Sequence, residues 1–257
     1  MSDNFGAPAI PSLFQNCVLW WSGTNIAAIS GDYDCFPIIP SGVTVTNNGT
    51  FTKTDLGNNK QVVNFDGSTN YVIVSTTTLN FSSDPFSISL WFKRSSLSDS
   101  MYAAFCQQVQ DGSNWWSFYF NNDTNNTPLG VGIQFYSSGS SIWNVHQGNG
   151  SVSGWSTNTW YHLVLIKSGT TTTIYCNGAA LTLSSVIAAA PATLPTISGP
   201  IGINSSGSNF WNGNIKDLMI YKGRALTVPE IKLLMNRTHP ITGRGAMDSG
   251  RYMRLTA

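Results

Sequence analysis

The chain has 257 residues and a net charge of +1, enough length for one large all-β domain but no long-range field to gather phosphates, so nucleic acid is excluded as a partner. Charged residues make up 10% of the sequence, against about a quarter in an ordinary soluble protein, so the surface must be polar and nearly uncharged. No stretch approaches the roughly eighteen continuous apolar residues that cross a bilayer, which removes membrane partners from the expectation.

The first fourteen residues, MSDNFGAPAIPSLF, lack a basic region followed by an apolar one, and the expectation is synthesis and folding in a cytoplasm without export. Residues 1–14 read as an N-terminal arm in which Phe5 and Phe14 would anchor the protein to its neighbours. Cys17 to Ser22 reads as an opening strand, followed by a turn-like Gly31-Asp32-Tyr33-Asp34 segment and an Asn47-Asn48-Gly49 turn. Val63 to Phe65 enters a tight Asp66-Gly67 turn and leaves as the apolar stretch Tyr71 to Val74. In the next strand Ile88, Leu90 and Phe92 alternate with Ser89, Trp91 and Lys93, which gives it one core side.

After the Asp111-Gly112 turn, Trp116, Phe118 and Phe120 form a core side, and Trp115, Ser117 and Tyr119 point away from it. Leu129, Val131, Ile133 and Phe135 alternate in the same way with Gly130, Gly132, Gln134 and Tyr136. Strands Trp160 to Ile166 and Thr173 to Cys176 flank a Ser168-Gly169 turn, and the Ala- and Pro-rich residues 188–200 read as an extended connection. Ile231, Leu234 and Met235 recur at helical spacing after Thr227, with Pro229 in the first turn and Glu230 three residues past the cap. That pattern predicts a helix over 228–236 that closes the fold with its apolar side. The domain is accordingly placed at 15–236, and residues 237–257 read as a tail whose Arg244, Arg251 and Arg254 would serve assembly.

Period-two alternation nearly everywhere, with turn signals between short runs, predicts a two-sheet antiparallel sandwich. Four ordered segments add to this: Val63 to Val74, Phe86 to Lys93, Trp160 to Gly178, and FWNGNIKDLMIY at 210–221 leading into Arg224, Ala225, Leu226 and Glu230. Together they resemble the concanavalin A-like lectin/glucanase superfamily in its laminin G-like jelly-roll branch. The resemblance implies a jelly-roll scaffold that mostly recognises and only sometimes catalyses.

The glucanase relatives in that superfamily place Glu, Asp and Glu on alternate positions of one strand, and hydrolysis needs two carboxyl groups across the bond. Here Glu230 is the only glutamate and belongs to the predicted helix cap; no two aspartates alternate in a convincing strand. His146, His162 and His239 sit in no nucleophile motif and read as structural. The expectation is therefore no catalytic residue and no enzyme. Cys17, Cys35, Cys106 and Cys176 are far apart, with no Cys-x-x-Cys pair, and read as buried thiols.

No cofactor is required by any motif. Relatives of this kind bind calcium at the sandwich rim, which makes Asp66 with Asn70, and Asn121 with Asp123, the candidate ligands. Each of these clusters offers one carboxylate, so the expected affinity is weak and the residues read first as turns.

Nine Trp and nine Tyr, with amides alongside, suit stacking on sugar rings. Trp91, Trp115, Tyr119, Gln134 and Tyr136 all fall on non-core sides and would form one glycan platform if their strands are neighbours. The functional expectation is a non-enzymatic structural or recognition protein. Specifically, it would be a virion surface component, such as a phage capsid decoration or tail-associated protein, with a glycan-adhesion role. Its partners would be other virion proteins or copies of itself, held through the tails, and cell-surface glycans. A free lectin is the alternative and a glycoside hydrolase a distant third.

Overall fold

A computed structural model describes residues 13–22, 44–57, 60–75, 79–96, 103–121, 130–147, 155–203 and 210–240. Phe5, Cys35, Asp123, Arg244, Arg251 and Arg254 lie outside these residues. Among the described residues, sixteen strands and helix Val228–Thr238 make two antiparallel sheets packed face to face, with that helix on the back of one.

Sheet A takes β1 (Cys17–Trp21), β3 (Thr52–Gly57), β4 (Lys60–Asp66), β6 (Phe86–Arg94), β11 (Trp160–Ser168), β12 (Thr171–Cys176), β13 (Ala179–Ala180) and β16 (Asn212–Lys222). Its order is β13-β12-β11-β6-β16-β4-β3, and β1 pairs with the second half of β16. Sheet B takes β2 (Thr44–Asn48), β5 (Tyr71–Ser75), β7 (Ala103–Asp111), β8 (Asn114–Asn121), β9 (Gly130–Ser137), β10 (Ser140–Gln147), β14 (Leu183–Ala188) and β15 (Ile201–Ile203), in the order β14-β10-β9-β8-β7-β15-β5-β2. Non-consecutive neighbours such as β6 and β16 or β7 and β15 give the jelly-roll crossovers, and residues 189–200 form the extended connection that their composition predicts.

The alternation read along each strand decides what fills the sandwich. Ile88, Leu90 and Phe92 of β6 face Phe105 of β7 and Trp116, Phe118 and Phe120 of β8, all at 2% exposure or less. Phe92 is the hub, its ring lying 5.0 Å from Phe105, 5.4 Å from Tyr161 and 5.4 Å from Trp211. Offset and edge-on aromatic packing of this kind adds about 0.5–1.5 kcal/mol per pair beyond the area buried.

A second apolar cluster lies on the outer face of sheet A, where Trp20, Val164, Ile166, Met219 and Tyr221 meet Ile231 and Leu234 of helix α1 (Val228–Thr238). The predicted cap forms, because the Glu230 carboxylate accepts hydrogen bonds from the Thr227 amide and hydroxyl, each at 2.8 Å. The helix runs two residues past the expected 236. Thr238 bonds back to the Leu234 carbonyl at 2.8 Å and accepts the indole N–H of Trp91 at 2.7 Å, so the last turn is held by the sheet beneath. Leu13 is buried, and Phe14, read from sequence as part of an arm, stacks flat on Trp20 with centroids 5.1 Å apart.

Candidate functional site

The outer face of sheet B has no helix on it among the described residues, and strand register arranges its side chains in rows. Pairing of Trp115 with Tyr136 and of Val109 with Trp115 makes one row of Val109, Trp115 and Tyr136. The next row holds Gln107, Ser117, Gln134 and Asn144, joined across β7, β8, β9 and β10. Beyond it lie Tyr119, Gly132 and His146.

Trp115 and Tyr136 are half-buried and stack with centroids 4.4 Å apart and planes 11° from parallel. Stacking covers one face of each ring, and the part of each ring that stays exposed is flat and apolar. Val109, beside Trp115, is one of two large hydrophobics exposed at the surface among the described residues, at 36%. The amide row is more recessed, with Gln107, Ser117 and Asn144 all below 8% exposure. Asn144 stands between the core residues Trp143 and Val145, so its side chain lies on the outer side, and its Oδ1 is buried without a hydrogen-bond partner.

Tyr119 forms the floor of the third row. A β-carbon on Gly132 would come within 2.7 Å of both the Tyr119 hydroxyl and the His146 β-carbon, so only glycine lets that ring and the His146 side chain close over β9. The Tyr119 hydroxyl accepts a hydrogen bond from Gln134 Nε2 at 3.3 Å, which fixes the amide beside it. His146 Nδ1 lies 3.1 Å from the Gln147 carbonyl oxygen.

The face thus brings together four of the five residues predicted for a glycan platform. Trp91 is the exception. It belongs to β6 of sheet A, pairs with His162 and Lys216, and is 3% exposed beneath the end of α1, with the His239 ring 4.9 Å away. Its alternation is the same as that of Trp115, but its non-core side is covered by the helix. Gln107 and Asn144 went unread. The signals for Asn144 were present, since it alternates with Trp143 and Val145 and the two-residue Ser138-Gly139 turn between β9 and β10 marks a hairpin.

The candidate calcium ligands have other occupations. Asp66 Oδ1 accepts the amides of Ser68, Thr69 and Asn70 at 2.9, 2.8 and 3.1 Å, and its Oδ2 accepts the Thr69 hydroxyl at 2.6 Å. Partial burial raises its pKa, but those bonds outweigh it and hold the carboxyl well below the usual range. Asn70 donates to the Thr50 carbonyl at 2.9 Å and packs on Gly49, so this pair stabilises its own turn. Asn121 ends β8, and its side chain, like Asp123, falls outside the described residues. Among the described residues no three His, Cys, Asp or Glu gather as metal ligands.

Potential acid–base groups are likewise engaged. Glu230 pairs with Arg224 as well as capping the helix. Asp217 sits in a bulge of β16, ion-paired with Lys216, and accepts the Trp20 indole N–H at 2.9 Å. His162 is 1% exposed with Nε2 3.0 Å from Ser89 Oγ, and burial pushes its pKa down to about 3. Cys17, Cys106 and Cys176 are free thiols whose pKa values burial raises, to about 12 for Cys17 and Cys176. Asp111, at the β7–β8 hairpin, is held below the usual range by hydrogen bonds from Ser113 and Asn114.

Comparison with known proteins agrees with this architecture. The family model for the concanavalin A-like lectin/glucanases superfamily, of laminin G type, matches residues 66–232. No curated protein sequence matches the chain. Among solved structures, domain 4 of AbnA, a GH43 extracellular arabinanase from Geobacillus stearothermophilus in complex with arabinotriose, is similar at TM-score 0.60 and 18% identity, over 85% of this chain and 98% of that one. The binding domain of Paraclostridial Mosquitocidal Protein 1 is similar at TM-score 0.60 and 18% identity, over 87% and 52%. Botulinum neurotoxin type C, which depends on interaction with two ganglioside molecules to enter cells, is similar at TM-score 0.59 and 14% identity, over 90% and 53%. The chain spans about half the length of these two toxin chains.

Proposed function

The chain belongs to the concanavalin A-like lectin/glucanases superfamily, and on that premise we propose that it is a non-catalytic recognition domain that binds saccharides on the outer face of sheet B. The stacked Trp115–Tyr136 pair beside the recessed amide row carries the reading, because apolar ring faces and neutral hydrogen-bonding groups are the two things a pyranose or furanose requires. The structural neighbours support it: one is described with arabinotriose, another by its dependence on gangliosides. A non-catalytic role is supported by the carboxylates. Asp111 is the one carboxylate on sheet B among the described residues, while glycoside hydrolysis needs two.

The test is Trp115→Ala, read by saccharide binding on a glycan array and by calorimetry of the best ligand. Affinity should fall at least tenfold, about 1.4 kcal/mol, with the melting temperature little changed. Undiminished binding would remove this face from consideration, and turnover of the bound oligosaccharide would remove the non-catalytic role.

The setting we propose for that activity is a virion surface, as capsid decoration or tail-associated protein, made in the host cytoplasm and attached through residues near the two ends. The charge-poor composition favours it over a freely diffusing lectin, because few repelling charges stand against close packing of copies.

A further inference from the structure

The charges of this chain are segregated by sheet. Every Lys and Arg that lies in a strand is in sheet A, and the eight strands of sheet B hold Asp111 as their one charged residue. The segregation extends along the sequence: between Arg94 and Lys167 there is no Lys or Arg, and between Lys167 and Lys216 there is no charged residue of any kind. The first of those intervals contains β7 to β10, which build the proposed site.

This distribution limits what the face can hold. An anionic sugar brings a carboxylate or sulfate whose desolvation must be offset by Arg, Lys or several convergent N–H donors. No Lys or Arg lies in the strands of the sheet, and Gln134 Nε2 is committed to the Tyr119 hydroxyl at 3.3 Å. Asp111, the one charged residue in these strands, is at the end of the strand that carries Val109 and would repel an anion. What the face leaves open is an acceptor: Asn144 Oδ1 is buried in the amide row without a partner, on a residue 5% exposed. An unpartnered buried carbonyl costs the free protein stability, and a hydroxyl hydrogen from a ligand would satisfy it.

Resting on the saccharide reading above, we infer that the ligand is an uncharged oligosaccharide, that one of its hydroxyls donates to Asn144 Oδ1, and that the face rejects sialylated and other acidic glycans. Ligand chemistry here therefore differs from that of the ganglioside-dependent toxin whose fold it shares, gangliosides being sialylated. Binding that uses no ion pair is also insensitive to salt, since screening acts on charges.

The experiment uses the full chain on a glycan array printed with matched neutral and sialylated versions of the same oligosaccharides. Neutral members should bind at least tenfold better than their sialylated partners, with affinity unchanged between low and high salt. Asn144→Ala should weaken the best neutral ligand at least tenfold while leaving the melting temperature equal or higher, an outcome that separates a ligand-binding amide from a structural one. Val109→Lys, at an exposed position beside Trp115, should improve sialylated ligands relative to neutral ones by roughly fivefold, the scale of one exposed ion pair. Sialylated ligands bound equally well or better by the unaltered chain, and lost in Trp115→Ala, would overturn the inference while leaving the saccharide reading intact. Unaltered affinity in Asn144→Ala would overturn the role of that residue, and absence of any Trp115-dependent binding would overturn both readings.

Discussion

His162 is a histidine with a hydrogen-bonding neighbour, Ser89, in a place where catalysis has no room. Water is excluded by Trp91 on the sheet and by the helix end above, and burial makes the imidazolium costly, so the folded chain keeps the ring neutral down to about pH 3. The unfolded chain protonates it near 6.5. Above that pH the residue contributes no pH dependence. As pH falls from 6.5 toward 3, the unfolded state binds a proton that the folded state refuses, and stability falls by about 1.4 kcal/mol per pH unit from this group. His162→Gln should flatten the dependence of denaturant stability on pH in that window, and identical slopes for the two proteins would show that the ring titrates in the folded state. Gly132 and Asn144 illustrate the same lesson on sheet B. The glycine is there to let Tyr119 and His146 close over the strand, and the asparagine keeps an acceptor unsatisfied.

At the scale of elements, α1 is a lid on sheet A and has no contact with the proposed site among the described residues. Its amphipathic pattern places Ile231 and Leu234, both at 0% exposure, onto Trp20, Val164 and Met219, while Glu230 ties its start to Thr227 and Arg224. Leu234→Ala removes a fully buried side chain and should destabilise the fold by about 2–5 kcal/mol in denaturant titration, with saccharide affinity unchanged at a temperature where the variant is folded. A parallel loss of affinity would mean that the two outer faces are coupled. The helix also explains why alternation misleads for Trp91. Period two separates the two sides of β6 correctly, but both sides of that strand are buried, one by the sandwich and one by the lid.

The whole molecule is a sandwich with one face capped by a helix and another, free of Lys and Arg, carrying the candidate site. That asymmetry suits a protein attached through one side and reading ligands with the other, as the virion proposal requires. A chain ending at Pro240 retains every described element, so it should fold with unchanged circular dichroism; if residues 241–257 anchor the protein, it should be lost from purified particles. Normal incorporation of the shortened chain would show that attachment lies elsewhere.

The sequence by itself determined the class of fold, the side of β8 and β9 that faces the core, the capped helix and the scarcity of carboxylates. All of these follow from residue type and short-range period. Partnership between strands distant in the chain was decided only by the tertiary structure, because hydrogen bonds between β7 and β15, or β6 and β16, join segments whose pairing leaves no mark in either one alone. For that reason Trp91 and Trp115 look alike as letters and end on opposite sheets, and Asn144 becomes part of a site through its neighbours across the strands.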